Sequence, residues 1–270
     1  MNGLTNGLLS ARLPRRIQSA HELTNAWIPG RVLGGLALVL GPVVWLVALV
    51  VRHVAREIVV FTPQEQAWFD RQTFDAPEQL AAYEQHPWLV TAGFALYAVG
   101  AVLMVPAVLT LGRVVAARSA RLAFWGTVLV ISSLFAKGYF AGINQTAFQL
   151  VDKLGLEQAT TFVLDSYVDL SYGMWRVPVW VTFLGLVGMA LLAVGAYRVG
   201  ALGLVRCGLL VIPGIAHGIL KESALLDVAI AVIPCLVLVP LGISVLRERV
   251  PELATAKRLV DRQPPRVLSW

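Results

Sequence analysis

Apolar residues dominate six stretches of the chain, at Val32 to Val51, Trp88 to Leu111, Leu122 to Ile143, Val177 to Tyr197, Gly203 to Leu220 and Ala224 to Leu246. At about 1.5 Å per helical residue, each approaches or exceeds the roughly 30 Å of a bilayer's hydrocarbon core. The runs carry almost no charge, and polar residues gather between them. This pattern predicts an all-α, polytopic membrane protein with six transmembrane helices in three antiparallel hairpins. The fifth run is the weakest, being short and interrupted by Pro213.

Composition agrees. Apolar residues make up 57% of the 270, charged residues only 14%, and the mean hydropathy is +0.72. Soluble domains carry about 25% charged residues, so this chain cannot coat a surface that faces water on all sides. Val32 to Val51 follows a polar stretch and has no A-x-A site, which reads as a retained span rather than a signal peptide.

The net charge of +6 is unevenly shared. Segments 1–31, 112–121, 198–206 and 247–270 hold 15 Lys and Arg against Glu22, Glu248, Glu252 and Asp261, while the alternate loops hold 12 carboxylates against seven basic residues. By the positive-inside rule the basic side is cytoplasmic, which puts both termini inside and requires an even number of spans. The expected layout is a basic N-terminal segment 1–31, a transmembrane domain 32–246 with outer loops 52–87 and 144–176, and a basic tail 247–270. Tryptophans 27, 88, 125, 175 and 180 fall near span ends, as interfacial aromatics do, whereas Trp45 sits deeper. Richness in Ala, Val, Leu, Arg and Gly points to a bacterial chain and the plasma membrane. Basic residues confined between apolar runs give no reason to expect nucleic acid as a partner.

The outer loops carry helix signals. Thr62-Pro63-Gln64-Glu65 is a capping box with proline at the first helical position, and Asp75-Ala76-Pro77-Glu78 repeats the logic with an aspartate cap. Two short amphipathic helices are expected there, with Trp68, Phe69 and Phe74 turned toward the membrane. In the second loop, Leu156, Phe162, Val163, Tyr167 and Leu170 recur at helical spacing and place Asp165 and Asp169 one turn apart as an outer-loop acidic pair. Two carboxylates are too few for a metal site, and hydration accounts for them as well. Asn144-Gln145-Thr146 matches a glycosylation sequon close to the membrane.

Ionisable residues at membrane depth are the main functional candidates, because each costs about 2.5 to 3.5 kcal/mol to insert. Lys137 lies in the outer third of the third span, His217 stands near the Pro213–Gly214 disturbance, and Arg176, Lys221, Glu222 and Asp227 occupy outer turns. With Asn144 and Gln145 they form an asymmetric polar set on the outer half. This suggests a cavity in which Lys137 and Arg176 meet Glu222, Asp227, Asp165 or Asp169. Interhelical ion pairs that fix packing would give the same asymmetry.

Three functions follow as expectations. A polar outer cavity, with Lys137, Asn144, Gln145, Arg176 and Lys221 as its ligand-binding residues, would bind or pass a small amphipathic ligand. An intramembrane enzyme would use His217, Glu222 or Asp227 as general acid or base on a lipid-soluble substrate. A structural partner subunit would join another membrane protein, its basic tail engaging anionic lipid or a cytoplasmic protein. No P-loop, dinucleotide fingerprint, zinc-protease or hydrolase motif occurs. Nothing in the chain calls for a metal or cofactor. Cys207 and Cys235 lie in apolar sequence without CxxC spacing.

Overall fold

The computed structural model describes residues 30–72, 74–172, 176–219 and 224–247, with side chains over 30–72, 74–166, 176–216 and 225–247. Residues 1–29 of the basic N-terminal segment, Trp27 among them, nearly all of the tail, Trp175, Lys221 and Glu222 lie outside this set. So do the side chains of Asp169 and His217.

Among the described residues every regular element is a helix. They run as α1 (Arg31–Glu57), α2 (Pro63–Phe69), α3 (Ala76–Gln85), α4 (Pro87–Ala116), α5 (Ala120–Leu154), α6 (Leu156–Tyr172), α7 (Arg176–Val199), α8 (Leu204–Ile219) and α9 (Ala224–Leu246). Apolar surroundings supply no water to bond backbone groups, so an apolar run of this length satisfies itself as a helix. Five helices, α1, α4, α5, α7 and α9, are long and apolar enough to cross a membrane. The predicted fifth span is the 16-residue α8, about 24 Å long, which falls short of the hydrocarbon thickness.

Two helices overrun their apolar runs. α1 continues six residues past Val51, through Arg52 and Arg56, to Glu57. α5 spans 35 residues, about 52 Å, and carries Asn144-Gln145-Thr146 inside the helix, where Thr146 donates its hydroxyl proton to the Gly142 carbonyl at 3.1 Å. Outer loops expected at 52–87 and 144–176 are thus largely helical. The cause is local: residues there still form the i to i−4 ladder while their side chains pack on a second core.

Neighbouring helices close a circuit: α1 touches α4 and α9, α4 touches α5, α5 touches α7, α7 touches α8, and α8 touches α9. The bundle core contains Leu38, Val108, Leu111, Val115, Leu192 and Leu238. Backbones approach closely at two glycine contacts. A methyl group at Gly188 would fall 2.8 Å from the Gly126 carbonyl oxygen, and one at Gly242 would fall 2.8 Å from that of Gly35. The Ser133 hydroxyl donates to the Thr182 carbonyl at 2.8 Å, tying α5 to α7.

A second core lies where α3 and α6 pack with the overrunning ends of α1 and α5 and the start of α4. It includes Ala55, Leu80, Tyr83, Val90, Phe94 and Phe148. Tyr83 stacks on Phe148 at 4.9 Å, and Phe94 meets the same ring edge-on at 5.0 Å. We refer to this end of the bundle as the cap.

The capping box on α2 forms as expected, with the Thr62 hydroxyl accepting from the Glu65 N–H and the Glu65 carboxylate accepting from the Thr62 N–H. α3 starts where expected, but Asp75 makes no side-chain cap. Its carboxylate is drawn to Arg56 instead.

Candidate functional site

The cap end brings together charges that lie far apart in the chain. Arg52 and Arg56 stand one turn apart on α1, about 31 and 37 Å along the helix from Arg31, so they sit at or beyond the far edge of a bilayer core. Arg56 Nη2 lies 2.7 Å from Asp75 Oδ2, with the two side chains only 12% and 18% exposed. Arg52 spreads its guanidinium over Phe94, 4.5 Å from the ring centre, with Tyr97 at 5.6 Å. Tyr97 packs on Trp45 at 4.5 Å, and Lys137 Nζ is 5.3 Å from the Trp45 ring. A row of Lys137, Trp45, Tyr97, Arg52 and Phe94 therefore runs from α5 across α1 and α4, its cations drawn to the rings by the ring quadrupole and Trp45 and Tyr97 packed on each other.

Two shallow clefts flank this row. One, enclosing about 240 Å³ including space open to its surroundings, is lined by Arg52, Ala55, Arg56, Gln79, Ala82, Val90 and Phe94. The other, about 190 Å³ on the same measure, is lined by Leu49, Arg52, Arg56 and Asp227. Most of that space is open to the surroundings, and neither cleft encloses a drug-sized ligand. As they stand each has room for about one water molecule, so a polar head would lie over the cleft, on the guanidinium groups, and not within it.

Carboxylates crowd the rim. Glu78 is half-buried, and its carboxyl titrates above the usual range because burial disfavours the charge; Asp75, Asp70 and Glu57 add to the rise, while Arg56 opposes it. The Tyr83 hydroxyl is also pushed up, first by burial and then by its 2.8 Å hydrogen bond to Asp152. Exposed Glu65 moves the other way, held down by the Thr62 N–H and hydroxyl. His53 Nδ1 lies 3.8 Å from Glu57, an ion pair only when the imidazole is protonated.

The sequence-derived candidates divide. Asp227, half-buried in the first turn of α9, shares a cleft with both α1 arginines. Lys137 lies at the inner end of the aromatic row, so its described partner is an indole face rather than a loop carboxylate. Arg176 begins α7 and lies over Trp180 at 5.2 Å. Asn144 and Gln145 are half-buried on α5, and Asp165 is exposed on α6. His217 belongs to α8 and Asp169 to α6, but their side chains, with all of Lys221 and Glu222, are outside the described set.

The sequence reading missed Arg52, Arg56, Asp75 and Glu78 as a cluster. Its signal was the i, i+4 spacing of Arg52 and Arg56 directly after an apolar run, in a stretch that can continue as a helix. No protein-family model, no curated protein and no solved structure matches this chain. The case for function rests on the residues themselves. Among the described residues no three His, Cys, Asp or Glu side chains are placed to hold a metal ion. Both cysteines are free, and Cys207 donates its thiol proton to the Ala193 carbonyl at 3.2 Å.

Proposed function

We propose that the chain is a six-span protein of a bacterial plasma membrane, with both termini cytoplasmic, that binds or passes a small amphipathic ligand at the cap end. The observation that carries this reading is the meeting of Arg52, Arg56 and Asp227 in one cleft beside an aromatic row that ends on Lys137. An anionic head exchanges with carboxylates at the guanidinium groups, and the apolar part lies along Phe94, Tyr97 and Trp45. The clefts are too small to enclose a whole amphiphile, which fits a ligand whose tail stays among the helices or lipid.

Six spans require α8 to cross despite its length, with adjacent residues or local thinning of the bilayer making up the difference. The basic side supports the orientation: arginines, and no described acidic residue, stand at the bundle end opposite the cap.

Native mass spectrometry of the full chain from gently solubilised membranes tests the site. A co-purifying mass present in wild type and lost in both Arg52→Gln and Lys137→Ala, with Arg71→Gln unaffected, is the expected result. Equal, ligand-free spectra from wild type and all three variants refute it and favour ion-pair packing. The catalytic alternative now rests on Asp227, the one of its three candidates whose side chain is described in a cleft. If it is an enzyme, Asp227→Asn abolishes turnover of the captured compound while leaving its mass bound.

A further inference from the structure

At the cap, Glu78 stands among three other carboxylates, Glu57, Asp70 and Asp75, and one guanidinium, that of Arg56. Asp75, Glu78, Gln79 and Ala82 share a face of α3, at helical spacings of three and four residues, and Arg56 meets that face from α1. Asp75 holds the ion pair, at 2.7 Å. Its hydrogen bond uses Nη2 of Arg56, which leaves Nη1 and Nε for a second acceptor. Gln79 and Ala82 carry the same face into the first cleft, which Arg52 and Arg56 also line.

Glu78 lies one turn beyond Asp75 and makes no hydrogen bond or ion pair among the described residues. Burial, Asp75, Asp70 and Glu57 all favour its neutral form, against Arg56 and the positive start of α3. Of the elements packed on α3, α1 thus presents Arg56 and Glu57, and also carries His53, 3.8 Å from Glu57. On α5, Asp152 is engaged by the Tyr83 hydroxyl at 2.8 Å, and Lys153 follows it. Glu157 and Asp165 lie on α6, and His86 precedes α4.

We propose that the carboxyl of Glu78 is the proton switch of the anion site at the cap: protonated, it leaves Arg56 to an anionic head lying over the cleft, and ionised, it competes for the same guanidinium. The inference rests on the ligand-binding reading above and adds its regulation. The sign follows from charge. A neutral Glu78 neither repels the head nor draws the guanidinium, so affinity is highest at low pH and falls as pH rises through the titration of this carboxyl. By linkage, anion binding draws a proton from solvent onto Glu78, so the two bind together.

The test uses 1-octanesulfonate, an amphiphile whose charge is fixed, and the full chain in phosphatidylcholine nanodiscs between about pH 4 and pH 8. Titration calorimetry, corrected with protein-free discs and repeated in buffers of different ionisation enthalpy, gives both the affinity and the protons taken up. Wild-type affinity should fall about tenfold from the acid to the alkaline limit, within the roughly 5- to 150-fold usual for coupled sites, with proton uptake in between. Glu78→Gln should hold the acid-limit affinity within about twofold at every pH and take up no proton. His53→Gln should keep the wild-type profile. A wild-type affinity independent of pH overturns the proposal and leaves the ligand reading standing. So does a fall that persists in Glu78→Gln or disappears in His53→Gln. Absence of binding by wild type at every pH overturns both.

Discussion

The ion pair between Arg56 and Asp75 is one of the joints between the cap and the bundle, and its strength can be measured with a double-mutant cycle. The charged atoms are 2.7 Å apart and the side chains 12% and 18% exposed. At an effective dielectric constant of about 20, the Coulomb attraction at that distance is about 6 kcal/mol. Desolvation of both ions takes back several kcal/mol, so the expected coupling is about 2 kcal/mol, between the ~0 to 1 of surface pairs and the ~3 to 5 of breaking fully buried ones. Asp75→Ala leaves the guanidinium near Glu78, which shares the load, so its cost should be about 2 kcal/mol. Arg56→Ala leaves Asp75 and Glu78 without their cation and should cost about 3 kcal/mol.

Reversible unfolding of the full chain in mixed micelles, followed by far-ultraviolet circular dichroism as denaturing detergent is added, gives the four stabilities. The double variant should be less destabilised than the summed singles by about 2 kcal/mol. His53 and Glu57 form the control, since their separation is 3.8 Å and Glu57 is 69% exposed. Their coupling should stay below about 0.5 kcal/mol even where His53 is protonated. If the Arg56 and Asp75 variants add to within about 0.5 kcal/mol, the pair is solvated and does not join the cap to the bundle.

Three further outcomes are expected. Burial raises the Glu78 carboxyl above its ordinary 4.5, so the folded state holds this proton more tightly than the unfolded chain; the stability it contributes is complete below about pH 4.5 and lost as pH rises through the raised value. Glu78→Gln should flatten the fall in unfolding midpoint across that window, and an unchanged slope would show that other groups set it. Gly188→Ala drives a methyl to 2.8 Å from the Gly126 oxygen and the Val130 nitrogen, and should cost about 1 to 3 kcal/mol, whereas Gly138→Ala enters open space and should gain up to about 1 kcal/mol. Lys137→Met should lower stability by about 0.5 to 2 kcal/mol and shift the emission of Trp45, seen as the difference from the same change in a Trp45→Phe background.

The apolar core of each long helix was legible, because transfer out of water depends on composition over some twenty residues and needs no knowledge of partners. The ends were less so. Hydropathy falls away at Arg52, but the helix continues to Glu57 because Ala55 and Val59 find Leu80 and Val90 in a second core. The same holds at Asn144, where α5 runs on to bury Phe148 and Val151. A sequence window cannot see these contacts, since α3 and α6 supply the surface. Candidate-site positions show the same division. Asp227 and Lys137 stand out as ionisable groups beside apolar runs, but Arg52 and Arg56 gain their meaning from Asp75, 19 residues beyond Arg56, and from Asp227 on the last helix.

Helix starts reveal how two electrostatic demands compete in this chain. At the cap end, α2, α3, α6 and α9 begin with Glu65, Glu78, Glu157 and Asp227 in their first turns, each an anion at a positive helix end, whereas α4 has no acid in its first turn and α7 begins with Arg176. At the opposite end α1, α5 and α8 begin with arginines and no acid. A helix dipole contributes about 0.3 to 1 kcal/mol per end group, so alone it would favour carboxylates at every start. Membrane orientation acts through Lys and Arg and hardly through Asp and Glu. On the proposed orientation, cytoplasmic starts keep arginine against their own dipoles, while four of the six described outer starts follow theirs.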